Sequence, residues 1–262
     1  MTDILVTNDD GYNCSGFVPL VRALRKEYSV VAIAPDRGRS WIGKAITTKT
    51  ELELKNIQRD SVDLYTLSGT PADCVQIGLY DLVETRPKQV VSGINFGLNI
   101  GHARILSSGT IGAAMEAAID GVPAIAVSLQ VPMHVRGKID FYNSKSYSVF
   151  ENAAHITLKL IKKINFRRFD DVDLFSVNIP FEATVDTDIE ITTPFKKPYG
   201  RLFHQTKGKF LQRTPPVEFT KMLEGTDLKA IHEGKISMSP INLSLTPHSS
   251  LQEVKSVITS EW

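Results

Sequence analysis

The sequence predicts an α/β fold, a mostly parallel sheet flanked by helices, and three observations carry that prediction. Short apolar runs at 4–7, 29–34, 87–91, 124–128 and 174–180 break off at polar, Gly or Pro residues, as buried parallel strands do. Stretches with helical spacing alternate with these runs, so that strand, helix and strand form βαβ units with right-handed crossovers. Polar and glycine-rich segments collect just after the runs, where open α/β sheets bind their ligands.

Composition narrows the possibilities before any motif does. The 262 residues are 42% hydrophobic and 23% charged, ordinary for a soluble globular protein, and allow one large α/β unit or a core with an appendage. A net charge of +1 argues against nucleic acid or an anionic membrane as the main partner. Cys14 and Cys74 lack metal-type spacing and fit a reducing cytoplasm. No export signal is expected, because Met1-Thr2-Asp3 leads directly into the first strand, and the apolar run 122–131 is too short to span a bilayer.

The first strand ends in Thr7-Asn8-Asp9-Asp10-Gly11. Two adjacent carboxylates repel, so one resists ionising unless a cation lies between them, and a hard divalent ion is the natural partner. The same residues also suit a plain polar turn with an acid near a helix N-terminus. A helix is expected over 17–27, then a strand over 29–34 that Pro35 terminates. The loop Asp36-Arg37-Gly38-Arg39-Ser40 offers guanidiniums for an anion and a hydroxyl ligand, or simply arginines pairing with surface acids. Alternation over 46–67 predicts an antiparallel hairpin beside the sheet.

Thr70 at an N-cap and Pro71 at the first helical position open a helix expected to run to about Leu82. After the strand at 87–91, Gly93, Gly97 and Gly101 stand four apart, which is not the G-x-G-x-x-G spacing, and nicotinamide binding is rejected. The segment reads instead as a glycine-permitted loop projecting Asn95 and Asn99 into the crevice, with the alternative that both are turn residues. Ser108-Gly109-Thr110 precedes a small-residue helix at 111–119, whose hydroxyls and free amides form an anion site or a plain cap. A strand follows at 124–128, a long helix at 141–164 and a strand at 174–180. Residues 186–250 read as extended hairpins of the kind that mediate oligomerisation, with His204 and His232 as surface or interface residues. The expected division is a core over 1–185 and a dependent C-terminal β-hairpin and oligomerisation extension over 186–262.

Taken in order, Ile4-Leu5-Val6-Thr7-Asn8-Asp9-Asp10-Gly11, Ala34-Pro35-Asp36-Arg37-x-Arg39-Ser40, Ser68-Gly69-Thr70-Pro71-Ala72-Asp73-Cys74-Val75, Val91-Ser92-Gly93-Ile94-Asn95-x-Gly97-x-Asn99-x-Gly101 and Ser108-Gly109-Thr110-x-Gly112-Ala113-Ala114 resemble the survival-protein E (SurE) family of metal-dependent 5′/3′-nucleotidases. The resemblance covers about residues 4–128 and is looser afterwards. It implies a Rossmann-like core with a β-hairpin extension, homodimers or homotetramers, and phosphate release from nucleoside monophosphates, with short polyphosphate as a further substrate in some members. Carried over by position, Asp9, Asp10, Ser40 and Asn95 would hold one divalent ion, Mg²⁺ or Mn²⁺, per subunit. Asn95, Asn99, Ser108, Gly109 and Thr110 would bind the phosphate with Asn8 beside them, and Asp9, Asp10, Asn99, Ser108 and Thr110 would form the catalytic set. This chain departs from the family pattern at Trp41 and Ser107, and its segment between Gly101 and Ser108 is a residue longer.

The reading that follows is a metal-assisted phosphomonoester hydrolase. Two rivals of other classes stand beside it: a phosphotransferase using an aspartyl nucleophile, and a non-catalytic nucleotide- or phosphate-binding sensor. A serine hydrolase is excluded by the lack of a G-x-S-x-G elbow.

Overall fold

A computed structural model describes residues 2–213, 217, 223–246 and 248–259. In chain order the elements are β1 (Ile4–Thr7), α1 (Phe17–Leu24), β2 (Val30–Pro35), β3 (Leu54–Arg59), β4 (Val62–Leu67), α2 (Pro71–Ile77), β5 (Gln89–Phe96), α3 (Gly101–Ser107), α4 (Gly109–Ile119), β6 (Ala124–Leu129), α5 (Met133–Arg136), α6 (Ser148–Lys163), β7 (Leu174–Ile179), β8 (Ile189–Ile191), β9 (Phe203–Thr206), β10 (Lys209–Gln212), α7 (Asp227–His232), β11 (Ile236–Ile241) and α8 (Leu251–Thr259).

A nine-stranded sheet in the order β3-β4-β2-β1-β5-β6-β7-β11-β8 organises the fold. Its interior strands pair in parallel from β4 to β7, while β3 and β11 pair antiparallel with β4 and β7. The chain steps from β1 to β2 on one side and returns to β5 on the other, so β1 and β5 flank a topological switch point. Period-two alternation sends Ile4 and Val6 into one apolar cluster and Leu5 into another, on opposite faces. Helices α1 and α6 pack together over the first face, with Phe17, Leu20 and Phe150 fully buried. Helices α2 and α4 cover the second with Val75, Ile111, Ala113 and Ala117. The small residues of α4 allow close approach: a Cβ on Gly112 would lie 2.3 Å from the Gly43 carbonyl oxygen.

Local chemistry explains the element starts. Thr70 and Asp73 form a capping box, with the Thr70 side chain accepting from the Asp73 amide and Pro71 at the first position of α2. A π-helical turn, Gly78–Leu82, extends it to the expected end.

Several expectations are corrected. Residues 46–53 stay outside the hairpin, which spans 54–67 and, through parallel pairing of β4 with β2, extends the main sheet instead of lying beside it. Strand β5 runs on through Ser92 to Phe96, because β6 offers it partners beyond a register shift between Ser92 and Asn95. The segment between Gly101 and Ser108, for which no element was expected, contains the helix α3. The long helix begins at Ser148, after a short 3₁₀ turn at Ser144–Ser146, and not at 141.

Among the described residues of 186–250, only β9 and β10 make a separate hairpin, while β8 and β11 join the main sheet and α7 lies between. No helix among the described residues is long and apolar enough to cross a membrane.

Candidate active site

The carboxyl ends of β1 and β5 open onto a cavity of about 550 Å³, lined by Asp9, Asp10, Ser40, Trp41, Asn95, Asn99, Ser107 and Ser108 together with Arg104 and Arg136. Tertiary folding thus gathers the acid pair, a hydroxyl from the β2 loop and both amides from the β5 segment, as the motif order implies.

Asp9 and Asp10 are 3% and 2% exposed, and burial on this scale disfavours charge. Desolvation pushes Asp9 up to about 6, against hydrogen bonds from the Thr110 side chain and the Gly109 and Thr110 amides that pull it down. Asp10 is pushed well above the usual aspartate range, first by desolvation and then by the charge of Asp9. The opposing pulls on Asp10, from the Phe96 amide at 3.3 Å and the more distant Arg136 guanidinium, do not restore it.

The start of α4 is turned toward Asp9. Thr110 Oγ1 donates to Asp9 Oδ1 at 2.6 Å, and a Cβ on Gly109 would lie 2.7 Å from the Asp9 Cβ, so only glycine permits this approach. Ser108 caps the helix by accepting from the Ile111 amide at 3.2 Å, while its residue still lines the cavity. The start of α4, expected as an anion site or a plain cap, thus donates to Asp9's own carboxylate, and Gly109 and Thr110 are not among the residues that line the cavity.

The remaining expected residues divide. Asn95 Nδ2 donates to the Gly97 carbonyl at 2.7 Å, fixing the side chain at the cavity edge. Asn99 is held twice, its Nδ2 donating to Ser128 Oγ at 2.9 Å and its amide donating to Asn178 Oδ1 at 2.8 Å. Asn8 is fully buried and spans its own turn, accepting from the Gly11 amide at 3.2 Å and donating to the Gly11 carbonyl at 2.9 Å. Arg37 and Arg39 take the surface role: Arg39 donates to the Ser68 carbonyl at 2.7 Å and both lie within 4 Å of Asp36. Their loop still supports the site, since the Arg39 amide donates to the Asp9 carbonyl at 2.6 Å.

Sequence reasoning missed four contributors. Arg136 donates to the Val131 and Phe96 carbonyls at 2.9 and 3.1 Å and lines the same cavity, where its charge acts on Asp10. Arg104, on α3, lies close enough to Arg136 that each helps define a positive wall, and burial lowers both from the usual arginine range. Neither sits in a pattern that sequence alone would mark. Ser128 and Asn178 did leave a signal, as polar residues within otherwise apolar strands. Among the described residues no group of three or more His, Cys, Asp and Glu side chains gathers that could hold a metal ion; Ser40 and Asn95 line the same cavity as the acid pair.

The family described as survival protein SurE matches residues 4–201. A 5′-nucleotidase SurE from Methanothrix thermoacetophila is 34% identical, the match covering 98% of this chain and 99% of that protein. One from Geobacter metallireducens is 36% identical over 96% of each chain. The crystal structure of the SurE protein from Aquifex aeolicus superposes with a TM-score of 0.79 at 32% identity, covering 98% of this chain and 99% of that one.

Proposed function

The chain belongs to the SurE family, and from that premise we propose that it is a phosphomonoester hydrolase that releases phosphate from nucleoside 5′-monophosphates, and from 3′-monophosphates as a second substrate class. The observation that carries the reading is the pair of buried, mutually repelling carboxylates, Asp9 and Asp10, at a strand end facing hydroxyls, amides and guanidiniums. The relatives' shared name as nucleotidases disfavours the sensor alternative.

The donor set fits one hard divalent ion, Mg²⁺ or Mn²⁺. Two carboxylates raised by burial and mutual charge would be relieved by a cation, and Ser40 and Asn95 add neutral oxygens at the same cavity. Such an ion would supply charge neutralisation and an acidified water. The chain's own residues do the rest. Thr110 and the α4 amides orient Asp9 through hydrogen bonds, a positioning role beside the phosphate contacts that the resemblance implies for Gly109 and Thr110. Asn99, locked by Ser128 and Asn178, presents its amide toward the phosphoryl oxygens, with the Ser108 hydroxyl beside it. Arg104 and Arg136 add positive charge where the phosphoryl group gathers negative charge. An Asp carboxylate oxygen accepts the proton of the attacking water.

We further assign a homo-oligomer, a dimer or tetramer, supported by Phe203, Phe210 and Leu211 standing exposed on the β9–β10 arm. A reducing cytoplasm suits the buried, unpaired Cys14 and Cys74. Residues 186–262 act with the core as an extension, and short polyphosphate is a further candidate substrate. The decisive experiment measures phosphate release from 5′- and 3′-nucleoside monophosphates before EDTA, after EDTA, and after Mg²⁺ or Mn²⁺ is restored. Release that stops with chelator and returns with metal is expected. No release from any nucleotide under any condition would overturn the reading.

A further inference from the structure

Glu116 is the one charged residue of α4, and it is buried, at 5% exposed. Both oxygens of its carboxylate are engaged. Lys44 pairs with Oε2 from the loop after β2, and Gln76 on α2 donates to Oε1. Taking a carboxylate out of water costs about as much as such a pair returns, and apolar residues would fill the space at least as well. Stability therefore does not account for Glu116, whereas a fixed place for Lys44 does.

Lys44 belongs to the loop that brings Ser40 and Trp41 to the candidate site. Between β2 and β3 the chain forms neither helix nor strand, so this loop takes its shape from contacts with the rest of the fold. Before Ser40, the Arg39 amide donates to the Asp9 carbonyl at 2.6 Å. After Trp41, the Gly43 amide donates to the Ser107 carbonyl at 2.9 Å, and a Cβ on Gly112 of α4 would stand 2.8 Å from the Lys44 nitrogen. Thr70 Oγ1 then donates to the Ala45 carbonyl at 2.6 Å. Trp41 itself holds φ at +64°, a left-handed conformation that a bulky residue keeps only where its surroundings impose it. The bracket closes on the acid pair, because α4 meets Asp9 through Thr110 and, further along, meets Lys44 through Glu116.

We propose that Glu116 is a positioning residue of this site, holding Lys44 so that the Ser40 hydroxyl keeps its place at the cavity shared with Asp9 and Asp10. This rests on the metal-dependent hydrolase reading and adds to it a residue that is not among those lining the cavity. A neutral hydroxyl is a weak ligand for a hard cation, so its contribution depends on being presented in place before the ion arrives. A loop without a ladder of its own supplies that only if its backbone is tied down on both sides of the ligand.

The probe is Mn²⁺ alone, titrated by calorimetry into the nucleotide-free protein. Glu116→Gln keeps the volume and an oxygen for Gln76 but loses the charge that holds Lys44, and the Lys44→Met/Glu116→Gln double variant leaves neither charge unpaired. Both should bind Mn²⁺ about tenfold more weakly, the size expected when the support behind a metal ligand is lost, while Lys44→Arg should bind it as wild type does. The double variant should melt in EDTA no lower than wild type. In a Trp262→Phe background Trp41 is the sole tryptophan, and acrylamide should quench its fluorescence more strongly once the double substitution is added. Wild-type Mn²⁺ affinity in the double variant would overturn the proposal. Weaker binding with unchanged quenching would place the effect outside the Ser40–Trp41 segment, and weaker binding with a lowered melting temperature would ascribe it to the fold; either result also overturns it. Should the double variant not fold, Lys44→Met alone, at a side chain 29% exposed, carries the same readouts. Phosphate release from adenosine 5′-monophosphate separates this role from the hydrolase reading. Turnover by wild type with unaltered Mn²⁺ binding in the variants rejects the role of Glu116 alone. Weaker binding and stronger quenching in the variants, with no phosphate released by any form, rejects the hydrolase reading alone.

Discussion

Replacing Asp9 with asparagine tests the electrostatic design of the site directly. The folded chain holds the Asp9 carboxyl at about 6, against an ordinary value of 3.8. A folded-state value above the unfolded one means that the native protein binds the proton more tightly, so stability falls as pH rises from about 4 to about 6 and the deficit is complete above that. The difference corresponds to about 3 kcal/mol at neutral pH, an order-of-magnitude figure. The substituted amide would carry no charge and would keep an oxygen for Thr110, while losing part of the hydrogen bonding from the Gly109 and Thr110 amides, about 1 kcal/mol.

The metal-free Asp9→Asn protein should therefore be more stable than wild type by about 1–2 kcal/mol, raising the melting temperature by roughly 2–8 °C for a chain of this size. Melting curves in EDTA and in excess Mn²⁺ provide the assay. Wild type should gain about 2.7 kcal/mol from metal at a hundredfold excess over Kd, whereas the variant should gain little and release no phosphate. A variant that melts below wild type in EDTA, or that keeps the full metal-induced shift, would refute the placement of strain and function in the same carboxylate.

Metal affinity should fall as pH drops, because the ion requires both carboxylates deprotonated and burial raises both; below about pH 6, where Asp9 as well as Asp10 holds a proton, it should fall about a hundredfold per pH unit, and calorimetric Kd values that do not change between pH 5 and 7.5 would contradict this. Thr110→Val should weaken metal binding about 10- to 100-fold by removing the 2.6 Å hydrogen bond to Asp9, and Thr110→Ser should restore it, as read by metal titration of turnover. Gly109→Ala should force the start of α4 off Asp9, at a cost of about 1–3 kcal/mol in denaturant unfolding and most of the activity, since its Cβ would lie 2.7 Å from that of Asp9. Asp227→Ala should destabilise by about 3–5 kcal/mol, because the amides of Gly101, Phe195 and Leu228 lose their shared acceptor; a change below about 1 kcal/mol would show that water or movement replaces it.

Much of the site was legible because its signals are local. Asp9 and Asp10 are adjacent in sequence, and an apolar run ending in acids marks a strand edge in any α/β sheet. The capping box at Thr70 and Asp73 and the cap at Ser108 follow from turn chemistry within four residues. Ser40, Asn95 and Asn99 reach the same cavity because each lies at or just beyond the end of a strand of the parallel core.

What escaped the sequence depends on partners far along the chain. Helix α3 spans seven residues, too few to display a periodicity, and it is fastened by Gly101 donating to Asp227, 126 positions away. Arg136 is aimed by the carbonyls of Val131 and Phe96, and Arg104 reaches the cavity only because α3 exists. Strand β11 enters the sheet antiparallel to β7, a pairing that its irregular alternation did not announce. Gly109 and Thr110 illustrate the division most plainly. The sequence by itself determined that a helix begins there with free amides, since capping is a property of a few neighbouring residues. Only the tertiary structure decided that those amides face Asp9, because that choice depends on how closely α4 packs against the end of β1.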